Sequence, residues 1–340
     1  VRTYYIQAEE TDWDYAPSGF DNFHGSTIAD SPDASKYLLR GTGRIGSVHR
    51  KALYYEYTDA TFSKRIEKPE WLGYLGPVIR CQVGDLVRVV FRNGVHAGGP
   101  EFSMHPHGVQ YTVANEGALD ANTKNITAAH VPPGETVTYT WTVPIRSGPA
   151  ENDGNAVMWM YHSHVDEAAD TYAGLMGPLI VYRRGEYDAY AKRGRDVDRE
   201  FAVFFMVNNE NSSPYLLDNI ARFAGNTTQP DGAPGDIHLD DPDFMESNMK
   251  HAINGRMFAN LRGLEMKSGE RVRWFIGALG NEVDLHTAHF HGQTLEMHGQ
   301  RTDVIELLPA SFKTAEMAPD TPGDWLLHCH VNDHMMGGMI

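Results

Sequence analysis

Two stretches decide the fold: GDLVRVVFRNG (84–94) followed by FSMHPHG (102–108), and SGERVRWFIGALG (268–280) followed by LHTAHFHG (285–292). Each opens on Gly and alternates Val or aromatic residues with charged ones, the two-residue period of a half-buried strand. The copies then continue in step. VPPGETVTYTW (131–141) and WMYHSHV (159–165) are answered by LPASFKTAEMAPDTPGDWLLHCHV (308–331). Each half therefore reads as a strand, a His-x-His pair, a long loop, an edge-like strand and a second strand ending in His-x-His. Such a repeat predicts an all-β chain, two tandem copies of one β-sandwich. The charged stretch RRGEYDAYAKRGRDVDRE (183–200) reads as a linker and puts the domains at 1–190 and 191–340. Helical spacing is modest and confined to ASKYLLRG (34–41) and DAYAKRG (188–194), and the polar run 226–243 reads as a loop of the second domain.

Composition narrows the function. With 29 Lys plus Arg against 45 Asp plus Glu, the 340-residue chain carries a formal charge of -16, which argues against a nucleic-acid or anionic-membrane partner. No apolar run reaches membrane-spanning length, so no membrane span is expected. Val1 opens the chain without a leader-like stretch, as in a secreted or periplasmic protein whose signal has been removed. The two cysteines, Cys81 and Cys329, lie in different halves and make no disulfide framework; Cys81 reads as a buried small hydrophobe. The informative excess is the 17 histidines.

Eight of them form four His-x-His pairs: His105 and His107, His162 and His164, His289 and His291, His328 and His330. Residues i and i+2 of a strand share a face, so each pair presents two imidazoles together. Four matched pairs point to metal, and imidazole suits copper, zinc, iron and nickel alike. Copper enters through HCHVNDHMMGGM (328–339). Cys329 must face away from its two neighbours, where His286, His334 and Met339 complete two His, one Cys and a weak Met, the ligand list of a blue-copper electron-transfer site.

The motifs HPH, HSH, HTAHFH and HCHVNDHMMGGM resemble those of the multicopper oxidases, and YYIQAEE (4–10), LGPVIRCQVGD (75–85), YHSHVDEAADTYAGLMGPLIV (161–181), HAINGRMF (251–258) and LLHCHVNDH (326–334) are similar to the first and last domains of that family's ceruloplasmin branch. The resemblance implies tandem cupredoxin-like Greek-key sandwiches and four coppers per chain. By it Cys329, His286, His334 and Met339 hold the blue copper, His105 and His289 the single type 2 copper, and His107, His162, His164, His291, His328 and His330 the coupled type 3 pair. The first domain has Phe102 and Ser163 where the second has His286 and Cys329, so it is expected to hold no blue copper. The strand GPLIVYRR (177–184) has no counterpart after Ile340, so the polypeptide is expected to continue.

The implied activity couples four one-electron substrate oxidations to reduction of dioxygen to water, electrons passing from the His334 and His286 region through Cys329 to His328 and His330. Asp166 is a candidate proton relay. For the reductant, the iron-oxidising sites of that branch match Glu246, His251 and Asp333, with Glu282 reaching in from an adjoining domain; oxygen ligands with one imidazole suit a transient ferrous ion. Met245, Met249, Met335 and Met336 leave a cuprous donor open, and a laccase-like oxidation of phenols or aromatic amines is a third reading. A copper nitrite reductase needs fewer histidines than four complete pairs. With four cluster ligands in each domain and a short linker, a homotrimer is expected, its clusters at subunit interfaces.

Overall fold

The computed structural model describes residues 1–41, 43–224, 237, 239–281 and 284–340. The predicted strands form where alternation placed them, at Leu86–Asn93, Thr136–Thr142 and Val272–Ala278. In the first half one sheet runs Val48–Tyr57, Arg2–Asp14, Leu86–Asn93, Thr136–Thr142, and a second runs Ile79–Gln82, Met176–Tyr182, Ala156–His162, His105–Pro106. The second half repeats the scheme. Its larger sheet runs Met249–Ile253, Arg199–Asn209, Val272–Ala278, Phe312–Met317, Leu295–Met297, Gln300–Thr302; the smaller runs Val304–Leu307, His286–Phe290, Leu327–Cys329. In both halves the first strand pairs parallel with the second-motif strand, Arg2 opposite Val87 and Arg199 opposite Val272.

Burial along the strands shows how the sheets stack. In Arg199–Asn209 the residues Phe201, Val203, Phe205 and Val207 enter the second half's own core, while Ala202, Phe204 and Met206 enter a core shared with Met158, Met160 and Ile180 of the first half. Both faces of this strand are covered, so it reads as a continuous apolar run rather than an alternating one. The first half's own core takes Val87, Val89, Phe91, Tyr161, Leu179 and Val181. Four sheets thus enclose three apolar layers.

The chain is mostly β but not purely so: five α-helices occur among the described residues, at Pro32–Leu38, Glu167–Ala173, Leu216–Phe223, Pro242–Ser247 and Asn332–Met336. Four of them form outside the two segments with helical spacing in the sequence. These short helices are held by packing rather than by length, and three of them carry a side-chain cap: Ser31, Asp166 and Asp241 accept from the backbone N–H groups of Ala34, Ala169 and Phe244. The expected helix at 34–41 forms as Pro32–Leu38. The expected helix at 188–194 does not: Tyr187–Asp188 pairs antiparallel with Arg193–Gly194, and Asp188 Oδ1 turns the chain by accepting from the N–H groups of Tyr190 and Ala191 at 2.9 and 3.1 Å. Most of the 226–243 stretch read as a loop lies outside the described residues. No helix among the described residues is long and apolar enough to cross a membrane.

The seam between the halves carries polar locks as well as apolar area. Trp13 Nε1 donates to Gly255 O at 2.7 Å, and Gly255 has a φ of +74° with no room for a Cβ against the Tyr74 ring. Lys51 and Glu210, each fully buried and from opposite halves, form an ion pair, with Tyr15 Oη donating to the same Glu210 carboxylate at 2.5 Å. Removing one partner strands the other charge in a low-dielectric seam. Glu210→Ala is expected to lower the unfolding free energy by about 3–5 kcal/mol. Denaturant titration checks this, and a shift under about 1 kcal/mol would show that the pair is expendable.

Candidate metal centre

The pairing register sets the site. Ala288 lies opposite Cys329 and His289 opposite His328; in the first half His105 lies opposite His162. Because side chains alternate along a strand, Cys329 is driven into the second-half core while His328 and His330 emerge on the other side. Cys329 is fully buried, with Sγ 3.7 Å from His286 Nδ1 and 3.7 Å from His334 Nδ1, and the two nitrogens are 3.1 Å apart. Met339 is fully buried in the same apolar cluster, and its carbonyl accepts from Cys329 N at 2.9 Å.

The paired histidines gather into two separate sets. His105, His107 and His162 converge in the first half, His107 Nε2 lying 3.2 Å from His162 Nε2. His289, His291 and His328 converge in the second, with His328 Nε2 at 3.1 Å from His289 Nδ1 and 2.9 Å from His291 Nε2. His164 and His330 flank these sets, with ring centroids 5.2 Å from those of His105 and His289 respectively. No candidate metal group among the described residues mixes histidines of the two halves.

The donor sets fit metal ions. Two nitrogens about 2.0 Å from one ion, at angles of about 90–110°, lie about 2.8–3.3 Å apart, and a thiolate at about 2.3 Å, at angles of about 110–120° to them, lies about 3.5–3.7 Å from each nitrogen. Imidazole must be neutral to ligate. Burial first, then the neighbouring imidazoles, pushes His107 down to about 4; burial, with His107 next, pushes His162 down to about 3. His105, His289, His328 and His334 are lowered, also chiefly by burial. Burial raises the Cys329 thiol, so thiolate formation there needs a cation in contact. The two-His, one-Cys set with a buried Met beside it suits copper.

The polar groups beside these histidines were mostly invisible in sequence. Asp284, 1% exposed, lies 3.4 Å from His286 Nε2, the ring nitrogen turned away from Cys329, and is itself fixed by Val207 N at 2.9 Å and Asn281 N at 2.8 Å. Its position two residues before His286 was the available signal. His105 Nδ1 lies 2.8 Å from Glu116 O, and His162 and His328 each lie 2.9 Å from the carbonyl of the next residue. Asp166 is an exposed helix cap; the carboxylate beside the histidines is Glu167, 3.4 Å from His164 Nε2 and 3.9 Å from His162 Nε2. Phe102 and Ser163 are fully buried where the other half has His286 and Cys329. Cys81 is a free, fully buried thiol in the first-half core.

Of the residues expected to take iron, His251 stacks beside His334 with ring centroids 5.3 Å apart, and its buried Nδ1 has no hydrogen-bond partner. Burial, then His334, pushes it down to about 4. Glu246, on the Pro242–Ser247 helix, accepts from Tyr37 Oη at 2.8 Å and Lys36 Nζ at 3.2 Å; burial raises its pKa, but these two donors outweigh it and hold the carboxyl below its usual range. Asp333 opens the Asn332–Met336 helix directly before His334. Donor atoms of Glu246, His251 and Asp333 do not close into one group within 4.8 Å among the described residues. Glu282 lies outside the described residues. Tyr37 and Lys36, which sequence reasoning passed over, come from the opposite half.

Two profiles of the multicopper oxidase family match the chain, at residues 72–186 and 230–340. The chain belongs to the multicopper oxidase family. It is 42% identical to the mouse (Mus musculus) protein Ferroxidase HEPHL1 over 343 residues, covering 100% of this chain and 29% of that protein. It is 42% identical to human (Homo sapiens) Ceruloplasmin over 344 residues, covering 99% of this chain and 30% of that protein. This multicopper oxidase thus spans about three tenths of the length of the curated relatives it matches. Among solved structures, Copper nitrite reductase from Nitrosomonas europaea superposes with a TM-score of 0.59 at 18% identity, covering 100% of this chain and 91% of that one, a likeness of fold.

Asp284 gives the test of this geometry. Asp284→Ala removes the buried carboxylate 3.4 Å from His286 Nε2 and is expected to weaken copper retention at the Cys329 site about 10 to 100-fold. Chelator competition followed through the blue absorbance reads it, and unchanged retention would rule out an orienting role.

Proposed function

We propose that this multicopper oxidase takes electrons singly from a small donor, ferrous ion above all, and reduces dioxygen to water, four electrons to each molecule. The carrying observation is the Leu327–Cys329 strand: its inward residue belongs to the His286 and His334 set, while the outward His328 belongs to the second histidine set. Bound copper supplies the one-electron redox chemistry and the binding of dioxygen. In this reading Cys329, His286, His334 and Met339 hold one ion, His105 and His289 a second, and His107, His162, His164, His291, His328 and His330 a pair, four per chain. Single peptide links join Cys329 to His328 and His330, so one short strand spans both kinds of site. Glu167, 3.4 Å from His164 Nε2, is placed to relay protons to the histidines. The halves are cupredoxin-like Greek-key domains meeting near residue 190, and the protein acts outside the cytoplasm, secreted or periplasmic.

Ferrous ion as substrate is supported by His251 against His334, by Glu246 and Asp333 nearby, and by the ferroxidase named among the relatives. Carboxylates favour the higher charge that develops as iron is oxidised, an interaction larger in the transition state than with the substrate ion. Glu246→Ala or Asp333→Ala is expected to cut ferrous turnover about 10 to 100-fold, about 1.4 to 2.7 kcal/mol, and to leave oxidation of a bulky phenol nearly unchanged. Oxygen uptake with ferrous ion, cuprous ion and a phenol side by side decides it; equal losses on all three would remove the iron site, and preference for the phenol would make this a laccase-like enzyme.

A homotrimer completes the reading. The separation of the two histidine sets within one chain supports clusters built from His105, His107, His162 and His164 of one subunit and His289, His291, His328 and His330 of the next, a heterologous ring closed by three-fold rotation. Analytical ultracentrifugation is expected to give a trimer, with dissociation abolishing oxygen uptake; a fully active monomer would refute the arrangement.

A further inference from the structure

HSH (162–164) repeats HCH (328–330), with His162 opposite His105 as His328 is opposite His289, so the position of Cys329 has a first-half counterpart in Ser163, and that counterpart is not idle. Ser163 Oγ, fully buried, donates to Asp170 Oδ2 at 2.6 Å and accepts from Ser103 N at 3.0 Å. Asp170, 3% exposed on the Glu167–Ala173 helix, also accepts from Val165 N and Asp166 N, both at 3.2 Å, in the segment directly after His164. The chain of bonds runs on. Ser103 Oγ accepts from His164 N at 3.0 Å and donates to Gly117 O at 2.5 Å, beside the Glu116 carbonyl that lies 2.8 Å from His105 Nδ1.

These bonds join the two His-x-His segments of the first half at the residues between and before their histidines. In the second half the same strands are tied by Cys329 and His286, the residues that converge as metal donors. We propose that Asp170, acting through Ser163 and Ser103, positions His105, His107, His162 and His164 for metal binding, replacing by hydrogen bonds the metal–thiolate tie of the other half. This rests on the metal reading above. Among the described residues Asp170 hydrogen-bonds to no imidazole, so it is a positioning residue rather than a ligand. Its loss leaves the buried Ser163 Oγ, and the partly buried N–H groups of Val165 and Asp166, without their acceptor, and the His162–His164 segment is expected to shift to satisfy the hydroxyl.

The test uses the full chain, comparing Asp170→Ala, Asp170→Asn and Ser163→Ala with the parent for copper per chain, blue absorbance and oxygen uptake. Asp170→Ala is expected to keep the blue absorbance and the parent's mass in solution while losing copper beyond the blue ion, with oxygen uptake down at least about 10-fold. Asp170→Asn keeps an amide oxygen to accept from Ser163 and is expected to restore most of both. Full copper and uptake in Asp170→Ala would overturn the proposal. So would loss of the blue absorbance in proportion to the rest without recovery in Asp170→Asn, because that marks a general loss of structure. Should Asp170→Ala fail to fold, Ser163→Ala, which deletes only a hydroxyl, carries the question: a smaller loss confined to the non-blue copper supports the role, and no loss overturns it. A parent protein that binds only the blue ion would defeat the underlying metal reading instead, before any variant is compared.

Discussion

Everything at the metal centre depends on the two-residue period of one short strand. Leu327–Cys329 pairs with His286–Phe290 in a register that puts His328 opposite His289 and Cys329 opposite Ala288. A slip of one residue would exchange the faces, sending the thiol out among the imidazoles and the imidazoles into an apolar core. That core opposes the slip: Ala288, Phe290 and Cys329 are packed with Ile305, Leu307 and Met339, and imidazoles there would lack partners. The apolar packing that stabilises the second half therefore also decides which side of the strand is thiolate and which is histidine.

The seam between the halves extends this control to the approaches of the site. Lys250, fully buried, donates to the carbonyls of Tyr37, Gly46 and Ser247, joining the helix that carries Tyr37 to the one that carries Glu246. Burial pushes this amine down to about 7, while the Glu210 carboxylate pulls it the other way. Tyr37 in turn holds Glu246 and sets its ring edge against His251, with centroids 5.4 Å apart. The surroundings of His334 are thus built by both halves of one chain.

The two halves also show how one frame is kept with different chemistry at its centre. A thiolate site binds its strands through the bound ion. A Ser–Asp pair can bind the corresponding strands through hydrogen bonds, provided every buried donor finds an acceptor. Phe102 fills the volume of the absent imidazole, fully buried in the first-half core.

By itself, the sequence determined the repeated β architecture, the four histidine pairs and the inward turn of Cys329, because strand alternation is local and survives in the residue order. It also carried, through their spacing from Cys329, the candidates His286 and His334 that gather around its thiol and Met339, buried in the same core. Only the tertiary structure decided which side chains surround the histidines and Glu246: Asp284 behind His286, Glu167 rather than Asp166 beside His164, and Tyr37 and Lys36 on Glu246. The same holds for the turn at 188–194, where one Asp side chain capping two backbone N–H groups outweighed a weak helical pattern. These are contacts between residues far apart in the chain, or choices between nearly equal local conformations. Their energies come from burial and from the partners that packing supplies, and no local pattern of residue types records either one.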